Sequence, residues 1–416
     1  MTEDVFITGF GVVSPFGPSV EALTRHCAEE MAERAHGPAP LDDQDGGLPV
    51  AEIPLDVIPA DKRSRIGRLD RLCRMFMSAS YLAVDAARLT IGRDEAERVG
   101  LSFGTGLGCL LTNAEYNQKV VEQGPAAASP RLFAYTVSSA AAGEVSIALG
   151  IEGPNVTTHM GFAAGLGAVG YGFDLIQMGK ADVVLAGGAD VLGPALMQGL
   201  RDMGLLKTPQ QSRPFRDAIA GVWPSEGAVV AVLERADRAR QRGARCWGRI
   251  DGYAAGFEPS LTRRVRACTG VSATMRRALD LSGHAPDSVG MVLASAHGTP
   301  VDATERAALE EVFGVGLPLV VAPKAALGES FGTSGVLALA LAAGLMREDA
   351  PFRLRLPLGE GPGEGAGPRD LFGGPHPGPL PGGKGAERLP ESSVVMVNAL
   401  CYSGNIVSMI LARDQT

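Results

Sequence analysis

The run Gly153-Pro154-Asn155-Val156-Thr157-Thr158-His159-Met160-Gly161-Phe162-Ala163-Ala164-Gly165-Leu166-Gly167-Ala168-Val169-Gly170-Tyr171-Gly172 carries the most specific signal in this chain. Phe162 stands directly before the small residues Ala163-Ala164-Gly165, where a glycine- and alanine-rich helix opens. A phenyl ring has no lone pair with which to attack an acyl carbon and no proton to give up. Covalent acyl transfer therefore cannot run through Phe162.

Outward from this stretch, short apolar runs end in glycine or small-residue turns and precede alanine-rich segments. Residues 5–7 lead to Gly9-Phe10-Gly11, residues 99–103 to Gly104-Thr105-Gly106-Leu107-Gly108, and residues 181–186 to Gly187-Gly188-Ala189-Asp190. Residues 289–295 lead to His297-Gly298-Thr299, and residues 394–397 to Asn398-Ala399-Leu400. Apolar spacing predicts helices over 71–89, 195–203, 304–313 and 336–346. Strands alternating with helices of this length imply βαβ units and buried sheets. A second half begins near 247–253, after a helix at 238–243. The element order suggests an internal duplication, with halves 1–246 and 247–416. Between 359 and 385 glycine and proline dominate, and a mobile surface loop between two strands is expected there.

The 416 residues are 45% hydrophobic, 20% charged and 5% aromatic, with 55 glycines, which suits an α/β core of Ala, Val, Leu and Gly. A net charge of -8 argues against a nucleic-acid footprint and a polybasic membrane patch. It also disfavours strong docking of an acidic carrier protein unless arginines are concentrated locally. Cys27, Cys73, Cys109, Cys246, Cys268 and Cys401 show neither a CxxC pair nor Cys/His spacing for a metal. They read as reduced, mostly buried small hydrophobes. The acidic start Met1-Thr2-Glu3-Asp4 runs straight into a strand, and the longest apolar run, 336–346, is too short for a membrane span. The expectation is a cytoplasmic protein with no metal or cofactor.

Taken in order, the motifs resemble those of the thiolase-fold β-ketoacyl synthases over nearly the whole chain. Ile7-Thr8-Gly9-Phe10-Gly11-Val12-Val13-Ser14-Pro15-Phe16-Gly17 is similar to the family's opening strand, and Ala186-Gly187-Gly188-Ala189-Asp190 to its Ala-Gly-Gly-x-Glu strand end. Ser212-Arg213-Pro214-Phe215-Arg216 and Glu226-Gly227-Ala228 resemble its Arg-Pro-Phe-Asp and Gly-Glu-Gly-Ala pair. The resemblance implies an α/β thiolase fold, with duplicated βαβ halves in five layers, αβαβα.

It also implies where the chemistry of a working synthase would sit. The cysteine nucleophile's position holds Phe162. The first histidine motif appears as His297-Gly298-Thr299-Pro300-Val301-Asp302-Ala303-Thr304-Glu305, with Thr304-Glu305 where Asn-Asp would stand. The second appears as Lys324-Ala325-Ala326-Leu327-Gly328-Glu329-Ser330-Phe331-Gly332, with Glu329 in place of histidine. Asn398-Ala399-Leu400-Cys401-Tyr402-Ser403-Gly404 has lost most glycines of the family's gating loop. Decarboxylation needs hydrogen-bond donors aimed at a developing enolate, and a carboxylate at Glu329 would repel it. No residue is assigned a catalytic role. Phe162, His297, Lys324 and Glu329 are degenerate positions, and Lys324 is a candidate partner for Glu329.

This pattern resembles the chain-length factor, or ketosynthase β-subunit, of type II polyketide synthases. The resemblance implies a non-catalytic subunit that heterodimerises with a catalytic ketosynthase and receives chains from an acyl carrier protein. It implies a tunnel gate at Cys109, Thr112 and Tyr116 on the helix after Gly106-Leu107-Gly108, with Tyr116 as principal plug. It implies a dimer interface at the strand Asn155, Val156, Thr157, Thr158, His159 and Met160, with Phe162 filling the space of a substrate thioester. Two alternatives stay open. One is a stand-alone malonyl-carrier decarboxylase or acyltransferase using His297, with Cys401 as nucleophile. The other is a purely stabilising or carrier-docking subunit. The product class, aromatic or polyene, is open.

Overall fold

The computed structural model describes residues 3–35, 49–207, 214–215, 221–259, 268–347 and 394–414. The Gly/Pro-rich stretch 359–385 lies outside them, as do Ser212, Arg213 and Arg216. The chain opens with β1 (Val5–Val13), α1 (Val20–Ala35), α2 (Ala60–Ile66), α3 (Arg71–Ala86) and β2 (Val99–Gly104). α4 (Leu110–Gln123), α5 (Pro130–Phe133), α6 (Ala140–Leu149), β3 (Asn155–Thr158) and α7 (Ala164–Gln177) follow. β4 (Val183–Asp190), α8 (Pro194–Asp202), β5 (Gly227–Arg235) and α9 (Ala236–Gln241) complete the first half. The second half runs β6 (Gly248–Phe257), α10 (Thr269–Ser282), β7 (Val289–Leu293), α11 (Pro300–Phe313) and β8 (Leu319–Val321). α12 (Lys324–Leu327), α13 (Ser334–Leu345), β9 (Val394–Leu400) and β10 (Asn405–Ala412) end it.

The strand order is β3-β2-β4-β5-β1 in one half and β8-β7-β9-β10-β6 in the other. Strand directions repeat as well. β3, β2 and β4 are parallel, as are β8, β7 and β9. The strands that follow inward in each half are antiparallel. The duplication expected from element order is thus present in the topology. The halves join where Val5, Phe6 and Ile7 pair with Ile250, Arg249 and Gly248.

Both faces of the strands are covered, which explains their continuous apolar runs. Val183 and Leu185 of β4 face a core closed by α3 and α6, whereas Val184 and Ala186 face the central helices. In β9, Val395 and Val397 face the same centre, and Val394 and Met396 face α10 and α11. α7 and α13 occupy the middle layer and touch each other and both half-sheets. The five layers follow directly. Every residue of α13 is buried, as expected of a helix apolar all round.

Three expected boundaries need correction. β1 does not end before Gly9-Phe10-Gly11 but runs through to Val13, and β4 runs through Gly187-Gly188 to Asp190. These glycines mark close approach within strands rather than turns. A Cβ on Gly11 would lie 1.9 Å from the Ala79 carbonyl oxygen of α3, and one on Gly187 would lie 2.0 Å from that of Val229. Likewise α11 begins at Pro300, not at residue 304, because Thr299 and Asp302 form a capping box and Pro300 fits the first helical turn.

Gly11→Ala is therefore expected to cost about 3 kcal/mol, the upper end of overpacking effects. Gly199→Ala in α8, where an added Cβ meets nothing within 4 Å, should instead stabilise by about 0.5–1 kcal/mol. Urea unfolding of the two variants checks both signs.

Candidate functional site

The turns that leave the parallel strands converge on one region. Residues 161–163 form a 3-10 turn between β3 and α7, with Gly161 at φ 56°. A Cβ on Gly161 would lie 2.2 Å from the Cys401 sulfur, so the glycine lets the β9–β10 turn close over this point. Phe162 follows, half-buried. Its ring meets His297 at 6.1 Å, Phe331 at 5.4 Å and Tyr402 at 5.8 Å, all edge-to-face. His297 and Tyr402 complete the cluster at 5.3 Å. On its other side Phe162 joins an apolar group with Leu192, Met197 and Leu200 from the α8 region. The ring fills the turn where a reacting group would need space.

His297 is buried and its ring atoms are occupied. Nδ1 lies 3.1 Å from the Ser295 carbonyl oxygen, and Nε2 lies 3.1 Å from the Thr299 hydroxyl. A carbonyl only accepts, so Nδ1 carries the proton and Nε2 accepts from Thr299. Burial, with the Lys324 ammonium adding to it, holds the imidazole below its usual pKa and neutral. No free N–H is left to stabilise an oxyanion.

Lys324 Nζ donates to Glu329 Oε2 at 2.7 Å, and both side chains are buried. Glu329 Oε1 accepts from the Phe331 N–H at 2.8 Å and the Ser334 hydroxyl at 2.6 Å. Burial alone would raise the Glu329 pKa, but the Lys324 ammonium and the Ser334 hydroxyl outweigh it and hold the carboxyl ionised. Glu329 also fixes Phe331, a non-glycine residue at φ 54°, through that N–H. Behind the pair, Glu305 Oε1 accepts from Ser295 N at 2.9 Å and Asn398 Nδ2 at 3.3 Å. Among the described residues its Oε2 has no partner, and burial pushes its pKa up to about 7.

Two carboxylates that the motifs did not mark as site residues organise the loops. Asp302 accepts from the N–H groups of His297, Gly298, Thr299 and Phe215. Asp190, fully buried at the end of β4, gathers the Thr105 hydroxyl and three backbone N–H groups. Both lay in quoted motifs, but the partners of Asp190, and Phe215 for Asp302, come from turns far away in sequence. An acidic residue at a strand end or in the first turn of a helix was the available signal.

Cys109 caps the start of α4 rather than lying on it. Its thiol donates to the Thr136 carbonyl at 2.8 Å. The Thr112 hydroxyl donates to Asp70 Oδ2 at 2.7 Å, and the Tyr116 ring lies 6.0 Å from that of Phe133. Cys109 and Tyr116 thus face the 130–136 segment, while Thr112 is pinned to the cap of α3. Of the strand expected at 155–160, Asn155, Val156, Thr157 and Thr158 form β3, whereas His159 and Met160 follow it. Among the described residues β3 pairs only with β2 and is the outermost strand of its half. Cys401 is buried. Among the described residues no group of three His, Cys, Asp or Glu is placed to hold a metal. Nor is any helix long and apolar enough to cross a membrane.

Lys324→Ala leaves Glu329 buried without its counter-charge and should cost about 3–5 kcal/mol. Lys119→Ala, which breaks the exposed pair with Glu115, should cost under about 0.5 kcal/mol; chemical denaturation compares the two. Glu305 binds its proton more tightly in the folded chain, so its ionisation opposes folding. That cost is absent below its ordinary pKa of 4.5 and complete above about 7. Glu305→Gln should therefore reduce the stability lost between about pH 5 and pH 8 by roughly 2 kcal/mol, measured by denaturation at each pH.

Residues 2–239 match the β-ketoacyl synthase N-terminal domain, and residues 247–351 match the β-ketoacyl synthase C-terminal domain. A 3-oxoacyl-[acyl-carrier-protein] synthase 2 of Synechocystis sp. is 28% identical over 323 residues, covering 74% of this chain and 77% of the relative. A chain of the ishigamide ketosynthase/chain length factor superposes with TM-score 0.75 at 26% identity, covering 100% of both chains. A β-ketoacyl synthase from Burkholderia phymatum shares the fold at TM-score 0.78 and 22% identity, again over 100% of both. With the motifs in register and the duplicated sheet in place, the chain belongs to the β-ketoacyl synthase family.

Proposed function

We propose that this chain is a non-catalytic chain-length factor. It forms a heterodimer with a catalytic ketosynthase and shapes the tunnel that limits elongation of a polyketide delivered by an acyl carrier protein. The observation that carries this is Phe162, packed against His297, Phe331 and Tyr402 where the family places its nucleophile. The surrounding charges support it. Asp190, Asp302, Glu305 and Glu329 are all buried, and a buried carboxylate cluster of this kind opposes a malonyl carboxylate and the enolate it would form.

The partner surface has its own support. β3 leaves one backbone edge unpaired, and such an edge is a template for strand addition. Ile147 of α6, which packs on β3, is 59% exposed, and Phe133 and Val137 are 61% and 52% exposed. Exposed apolar groups beside an open edge fit a large, obligate contact. The Cys401 reading is weakened by burial of its sulfur against Gly161, which leaves no approach for a thioester.

The purified chain offered malonyl-carrier thioester should release no carbon dioxide and gain no acyl mass, whereas the ketosynthase complex should do both. Phe162→Cys alone should remain unacylated, since His297 and Glu329 stay engaged. Tyr116→Ala in the complex should raise the product mass by at least one extender unit. Unchanged lengths would leave a stabilising subunit, and acylation of the isolated chain would end the proposal.

A further inference from the structure

One carboxylate joins the two halves of the fold at the candidate site. Asp190 Oδ1 accepts from the Thr105 hydroxyl at 2.5 Å and the Leu107 N–H at 3.0 Å. Oδ2 accepts from the Gly106 N–H at 2.8 Å and the Gly332 N–H at 2.7 Å. The first three donors belong to the turn that feeds α4. The fourth belongs to the turn that carries Phe331 and opens α13. Thr105 extends the clamp, because its hydroxyl oxygen also accepts from the Gly108 N–H at 2.8 Å, one residue before Cys109.

The two turns touch through bare backbone. A Cβ on Gly332 would lie 2.5 Å from Gly106 N, and a Cβ on Gly106 would lie 3.0 Å from the Gly161 carbonyl oxygen. There is no flexible side chain between them to absorb a displacement, so a shift on one side is passed to the other. The carboxylate is also hard to replace. Each oxygen holds two donors, and an amide in either orientation would turn its NH2 toward two of them.

We propose that Asp190 is a positioning residue that sets the root of α4 against the Phe331 turn, so that the tunnel-wall helix and the aromatic cluster around Phe162 keep one register. Its functional meaning rests on reading α4 as the tunnel wall. Asp190→Asn keeps the volume and breaks at least two of the four contacts. Thr105→Val is a milder variant that removes one contact to Asp190 and the acceptor for Gly108.

The readout is alkylation of Cys109 by iodoacetamide in the full-length chain, followed by peptide mass spectrometry, with buried Cys27 as internal reference. Losing a hydrogen bond to a charged acceptor favours local opening by about ten-fold or more. Cys109 should react at least about ten-fold faster in Asp190→Asn and a few-fold faster in Thr105→Val, with Cys27 unchanged. Deuterium uptake at peptides containing Gly332 should rise in parallel. A Cys109 rate that stays constant, or rises only in step with Cys27, overturns the proposal. In the ketosynthase complex the same variants should broaden the product-length distribution. If Cys109 responds while neither these variants nor Tyr116→Ala alter product length, the clamp stands and the tunnel-wall reading of α4 falls.

Discussion

The ion pair between Lys324 and Glu329 sets the terms for the rest of the site. A carboxylate that is 1% exposed is tolerable only when its charge is met and its lone pairs are filled. Meeting that condition commits Lys324, Ser334 and the Phe331 N–H to Glu329. It also helps keep His297 neutral, through the ammonium beside it. Groups that could assist chemistry are spent on one another. The donors around Glu329 form a closed network facing itself.

Phe162 fits that network in a different way. An aromatic side chain brings a large apolar area and prefers edge-to-face neighbours, and three rings surround it in that geometry. The ring replaces a reactive group without opening a void, so the central helix α7 keeps its seat. Fold and chemistry are separable here because the packing of α7 and α13 depends on small residues, not on the catalytic position. A Cβ on Gly165 of α7 would lie 2.4 Å from the Gly332 carbonyl oxygen, a contact that no change at Phe162 disturbs.

The layout of strands was legible in the chain because both sheet faces are covered, and each strand therefore reads as an unbroken apolar run. Strand ends were less legible. Gly9, Gly11, Gly187 and Gly188 look like turns by composition, yet they lie inside β1 and β4 where another backbone presses close. The start of α11 was misplaced for a local reason: Thr299 and Asp302 cap a turn that apolar spacing alone does not mark. In the site, the Lys324–Glu329 pair was readable from the separation of the two residues. The role of Asp190 was not, since its donors come from distant turns, and neither was the bond from the Phe215 N–H to Asp302. Residue type shows a side chain's capacity to accept; only the folded chain shows what it accepts from.

The duplicated topology explains why so many of these turns meet. In each half the three parallel strands lead toward the same region, and matching 3-10 turns, at 161–163 after β3 and at 331–333 after β8 and α12, open the central helices α7 and α13. Each turn pairs a left-handed residue with a phenylalanine: Gly161 precedes Phe162, whereas Phe331 itself adopts φ 54°. Glycine takes that conformation freely, but phenylalanine does so at a cost of order 1–3 kcal/mol. The strain is sustained because the N–H groups of Phe331 and Gly332 are held by Glu329 and Asp190 from opposite halves. Two buried carboxylates, both expensive to desolvate, thus hold a backbone shape that presents Phe331 to Phe162. That is the physical sense in which this region is a structural joint between the two halves.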